Sequence, residues 1–137
     1  MISVDELLAK LPLVPYERFG RDLSGMDCFG LVEYWHEHVL GIRIRDRYTQ
    51  ESTPAGFFQG FKDRRDWVEV EAPEDHVGAV MTGMINGTIY KFGHCGMCYK
   101  GRVYQFSDGI GFNHAPVTAR NLRINAFMRH RECTATF

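Results

Sequence analysis

Three side chains stand out for the chemistry they offer together. Cys28 leads an apolar pattern of helical period, Leu31, Val32, Trp35 and Val39, with Asp27 before it as a candidate N-cap and Gly41 after it. This spacing predicts a helix over 28–40 with the thiol in its first turn. Unpaired amides there stabilise negative charge, so a thiol in that position ionises more readily, and the thiolate is the nucleophile. A nucleophilic thiol needs a base. His94 opens the strand-like run His94-Cys95-Gly96-Met97-Cys98-Tyr99, and a Lys100-Gly101 turn leads into Arg102-Val103-Tyr104-Gln105-Phe106. Gln105 therefore returns across a hairpin towards His94, where an amide oxygen would bond the far imidazole nitrogen and fix its tautomer. A thiol, an imidazole and a polar third group are the parts of an acyl-transfer centre.

Each of these residues also has a plain structural reading. Cysteine is among the most buried residue types, and a lone histidine on a strand is more often structural than catalytic. Gly25 and Gly30 bracket Cys28 and are expected to admit a close approach of backbone or substrate. His36 and His38 lie further along the same helix, with Glu33, His36 and Glu37 expected on its solvated face. Cys95-x-x-Cys98, with His94 and Cys133, is the one candidate zinc set. Cysteines three apart on a strand point to opposite faces, and no knuckle surrounds them, so Cys95, Cys98 and Cys133 read as structural. Of Cys95 and Cys98, one is expected to face the core and the other not.

The elements that must carry these groups follow from pattern and punctuation. Ser3, with Glu6 three residues on, opens a short helix over 3–11 that Pro12 and Pro15 end. Within 42–66, Thr53-Pro54 suggests a short helix bearing Phe57, Phe58 and Phe61. Strands are expected near 67–71, 78–83, 88–99, 102–106 and 112–118, with turns at Asn86-Gly87, Lys100-Gly101 and Asp108-Gly109. The segment 122–131 reads as a last strand or a short helix. Helices followed by antiparallel strands make an α+β arrangement.

Composition bounds the class. The 137 residues are 45% hydrophobic and carry a formal net charge of −1, which suits one domain over 1–137 and argues against a nucleic-acid binder. No apolar run reaches the roughly 20 residues of a membrane span. The acidic start, Met1-Ile2-Ser3-Val4-Asp5-Glu6, does not read as a secretory signal.

Three segments, Tyr16-Glu17-Arg18-Phe19-Gly20, Met26-Asp27-Cys28-Phe29-Gly30-Leu31-Val32 and His94-Cys95-Gly96-Met97-Cys98-Tyr99, together resemble the NlpC family of papain-like cell-wall cysteine peptidases. The resemblance spans about residues 12–118. It implies a papain-like α+β fold, with N-terminal helices packed on an antiparallel sheet. It also implies a cysteine peptidase acting on peptidoglycan stem peptides at the γ-D-glutamyl–diaminopimelate bond, without metal or organic cofactor. By that likeness Cys28 is the nucleophile, His94 the base and Gln105 the polar third member. Tyr16 is the hydroxyl that helps hold the oxyanion, and Asp27 a residue that helps recognise the substrate's free amine. His76-Val77-Gly78 and His114-Ala115 are rival histidines that lack the right surroundings. Phe29 after the cysteine, Trp67 before the Pro73 turn and the Arg129-His130-Arg131 ending look like the phage tail-associated branch. That likeness implies tail-tip or tail-hub partners and a place in the virion. The alternative is a structural tail-tip protein whose peptidase fold is vestigial. Amidases of related fold, which cut between glycan and peptide, are a further possibility.

Overall fold

The computed structural model describes residues 1–44 and 66–133. The expected helix around Phe57, Phe58 and Phe61 lies outside the described residues.

The first helix, α1 (Val4–Lys10), starts where the Ser3 hydroxyl accepts the Glu6 amide at 3.1 Å. A 3-10 turn, Leu11–Leu13, carries Pro12 and closes it. Two short strands, β1 (Arg21–Asp22) and β2 (Gly25–Met26), form a hairpin directly before α2 (Cys28–Trp35). The helix predicted over 28–40 is thus α-helical only to Trp35, continuing as a π-helical turn, His36–Leu40, that ends at left-handed Gly41 (φ +70°).

The remaining strands form one antiparallel sheet in the order β3-β8-β4-β5-β6-β7. They are β3 (Trp67–Val70), β4 (Gly78–Ile85), β5 (Thr88–Tyr99), β6 (Arg102–Ser107), β7 (Gly111–Pro116) and β8 (Ile124–His130). The expected strands are present, and the open choice for 122–131 resolves as a strand paired between β3 and β4. At Asn86-Gly87 and Lys100-Gly101 both turn residues have positive φ, the geometry that matches the twist of a tight hairpin.

Both faces of the sheet are covered. Cys95, Met97 and Phe106 join Leu31, Val32 and Trp35 of α2 and Leu7 of α1 in one core. Cys98 and Val103 join Val77, Met81 and Leu122 in a second. Cys95 and Cys98 do point to opposite faces, but both are buried, because the strand has a core on each side. His36 is another correction: it is fully buried rather than solvated. Its ring packs edge-on against Trp67 at 5.3 Å and near His130 at 6.0 Å, so the π-helical turn faces the β3–β8 end of the sheet. Among the described residues, no helix is long and apolar enough to cross a membrane.

Candidate active site

Cys28 is the first residue of α2, so its amide is among those with no partner inside the helix. Asp27 builds this terminus. Its carboxylate accepts the Gly30 amide at 2.8 Å as N-cap, the Phe19 amide at 2.9 Å and the Arg21 guanidinium at 2.7 Å. The helix start sits tightly on the preceding loop, since a Cβ on Gly30 would lie 2.2 Å from the Gly20 carbonyl oxygen. Gly30 therefore serves backbone approach, one of the two uses its position suggests. Tyr16 is held beside the same terminus by two main-chain bonds. Met26 N–H donates to Pro15 at 3.2 Å, and Glu17 N–H donates to Met26 at 3.1 Å.

His94 comes from the middle of β5, beside the irregularity in its pairing with β4 between Met81 and Gly83. Its Nε2 lies 2.7 Å from Gln105 Oε1. The hairpin register explains how they meet. Met97 pairs with Tyr104, and continuing that ladder sets Gln105 beside Gly96, one diagonal step from His94. A Cβ on Gly96 would lie 2.6 Å from the Tyr104 carbonyl oxygen and 3.4 Å from Gln105 Cβ. The missing side chain leaves the diagonal open.

An amide oxygen only accepts, so the Gln105 bond puts the proton on His94 Nε2 and leaves Nδ1 as the basic nitrogen. His94 and Cys28 face the same cleft, and each favours the ionised form of the other, as a thiol–imidazole pair requires. Burial works to push the His94 ring down, but the bond to Cys28 and its charge, with the Gln105 bond, outweigh this and raise it. Hydrogen bonding from Cys95, then from His94, with the charge of the ring, holds the Cys28 thiol well below its ordinary value despite burial. Of the two adjacent thiols, Cys28 is the one that ionises, because only it has both the helix terminus and the imidazole. Burial pushes Cys95 well up. Burial, with the negative charges of Cys28 and Asp27, pushes the Tyr16 phenol up to about 12, so it keeps its proton as a donor.

Tyr16, Asp27, Cys28 and His94 all line a cleft of about 120 Å³. The cleft's far wall is the β4–β5 hairpin at Met84, Ile85 and Asn86, and Arg18 and Asp108 add one charge of each sign. All five candidate residues thus come together, four on the cleft wall and Gln105 behind His94. Asp27 reaches the cleft with its carboxylate already engaged by three donors. The rival histidines lie elsewhere. His76 accepts the Trp35 indole N–H at 3.1 Å, and His114 accepts from Arg102 at 3.0 Å. Among the described residues, no three His, Cys, Asp or Glu side chains are grouped to hold a metal ion.

Sequence reasoning missed Arg21, Cys95 and the β4–β5 wall as parts of this site. The hairpin turn at Asn86-Gly87 was legible, but not that Ile85 and Asn86 line the same cleft as the helix start.

One solved structure decides the fold. The NlpC/p60 domain of the peptidoglycan hydrolase SagA matches with a TM-score of 0.58, covering 92% of this chain and 97% of that one at 17% identity. The chain shares the fold of an NlpC/p60 domain. The α+β, papain-like architecture expected from the Cys28 and His94 segments is therefore present. No family model matches the sequence, and no curated protein matches it. At this identity the shared NlpC/p60 fold is carried by the arrangement of helix and sheet rather than by sequence at large.

Proposed function

We propose that the chain is a cysteine peptidase that hydrolyses peptidoglycan stem peptides, with Cys28, His94 and Gln105 as its catalytic residues. The observation that carries this reading is the junction of an ionisable thiol at a helix start with an imidazole whose outer nitrogen is held by an amide oxygen. The likeness in fold to a domain of a peptidoglycan hydrolase supports the substrate class.

His94 Nδ1 takes the proton of Cys28, and the thiolate attacks the peptide carbonyl. The Cys28 amide and the Tyr16 hydroxyl face the oxygen where charge develops. His94 then returns the proton to the leaving amine, and water hydrolyses the thioester. The bond is the γ-D-glutamyl–diaminopimelate link, and the setting is a phage tail tip, with tail-tip or hub proteins as partners. Both rest on the resemblance of the Asp27–Val32 and His94–Tyr99 segments and of Phe29.

The test is digestion of purified peptidoglycan by the wild type and by Cys28→Ala, with mass spectrometry of the fragments. Cleavage within the stem peptide that vanishes in Cys28→Ala is expected. Absence of any Cys28-dependent cleavage overturns the reading in favour of a vestigial fold. Cleavage between glycan and peptide would make the enzyme an amidase.

A further inference from the structure

The Gln105 amide orients His94 only if its oxygen, and not its nitrogen, faces the ring. The two ends of an amide have nearly the same shape and opposite hydrogen-bonding roles. Something must distinguish them, and the neighbouring strand holds it. Asn113 of β7 pairs directly with Gln105 of β6. Gln105 Nε2 donates to Asn113 Oδ1 at 2.8 Å. Asn113 Nδ2 donates in turn to the Gly111 carbonyl oxygen at 2.9 Å and to Ser107 Oγ at 3.2 Å. The Gly111 carbonyl is an acceptor only. It fixes which end of Asn113 faces it, hence which end of Gln105 faces Asn113, hence which nitrogen of His94 carries the proton.

We propose that Asn113 is a positioning residue that sets the direction of the Gln105 amide and, through it, the tautomer of His94. The chain of bonds runs from the backbone of the β6–β7 turn to the base without a break, and all its donors and acceptors are matched. Without Asn113, Gln105 is free to rotate, and a rotated amide presents N–H to Nε2. The imidazole then carries its proton on Nδ1, so it cannot accept the Cys28 proton, and Nε2, facing a donor, cannot be protonated to make the ring the imidazolium partner of the thiolate. The proposal rests on the reading of Cys28 and His94 as a nucleophile and its base, but not on the identity of the substrate.

The experiment therefore uses no substrate. The rate of Cys28 alkylation by iodoacetamide is followed against pH, with the modified peptide identified by mass spectrometry. Asn113→Ala is expected to raise the midpoint of the profile by about one unit, a roughly tenfold loss of thiolate below it. Asn113→Val, suited to an edge strand, replaces the alanine variant if that one does not fold. The other charged or titratable groups around the pair are Tyr16, Asp27, Arg21 and Cys95, with Arg18 and Asp108 on the cleft. All are unchanged in these variants. Nitrogen NMR of labelled histidine should show Nε2–H in the neutral ring of the wild type and mixed tautomers in Asn113→Ala.

An unchanged profile and tautomer in a folded Asn113→Ala or Asn113→Val overturns the proposal, as does an unchanged profile in Gln105→Ala. A shifted profile in a protein that cuts no stem peptide supports this inference and sinks the proposed substrate. Stem-peptide cleavage with an unshifted profile does the reverse.

Discussion

Asp27 offers two roles that one substitution separates. Resemblance assigns it to the substrate's free amine, yet the structure commits its carboxylate to three donors. Asp27→Ala removes all of them. Loss of the N-cap bond to Gly30 costs about 1 kcal/mol. The Phe19 amide is left without its acceptor, costing about 1 kcal/mol or more. The charge-assisted bond to Arg21 is worth about 1.5–3 kcal/mol when intact. Its loss counts towards the lower end here, because Arg21 is one-fifth exposed and still has the Gly20 carbonyl at 2.9 Å and Glu33 at 3.4 Å. The sum is about 3–4 kcal/mol, a large part of the ~5–15 kcal/mol that holds a domain together. In urea, with a slope of about 1.5–2 kcal/mol per molar, the unfolding midpoint should fall by roughly 2 M. Asp27→Asn keeps an oxygen for Gly30 and Arg21 but turns N–H towards the Phe19 amide. Its loss should be about half as large. A midpoint unchanged in Asp27→Ala, together with a raised KM for stem peptides, would refute this reasoning and return Asp27 to the substrate.

Three further outcomes follow from the same structure. Burial holds the His36 imidazole down at about 4, where its ordinary value is 6.5, so the folded state binds fewer protons than the unfolded chain between these values. Stability is then full above about pH 6.5 and falls by roughly 3 kcal/mol as pH drops to 4. His36→Phe should flatten that slope in denaturation curves taken at pH 7 and pH 4.5; an equal slope would exclude His36 as its source. Gly30→Ala gains about 1 kcal/mol of helix propensity but drives a methyl into the Gly20 carbonyl, so chemical denaturation should show a net loss of about 1–2 kcal/mol. If Tyr16 holds the oxyanion as proposed, Tyr16→Phe should lower kcat on stem peptides by about 100-fold with little change in KM.

The site was largely legible because its parts depend on local signals. Asp27 before an apolar helical pattern placed Cys28 in a first turn, and the Lys100-Gly101 turn set the hairpin that returns Gln105 to His94. What escaped was long-range packing. Nothing within 28–40 announces that the helix changes to a π-helical turn at His36 and buries that ring against Trp67 and His130. Alternation along β5 correctly separated Cys95 from Cys98, but not that both faces are covered, since that depends on helices on one side and Leu122 on the other. Cys95 lies beside Cys28 because α2 crosses β5, a contact no local spacing encodes. Gly96 looked like a motif residue; its reason is the diagonal reach of Gln105 over a bare Cα.

The central claim is that Cys28 forms a bond to its substrate through the help of His94. Rapid acid quenching of the protein during turnover of a purified stem peptide, followed by intact and peptide mass spectrometry, tests it directly. The account predicts a transient mass increase equal to the acyl half of the peptide, located on Cys28 and absent in Cys28→Ala and His94→Ala. Cleavage without any adduct on Cys28, or an adduct on another residue, would contradict it.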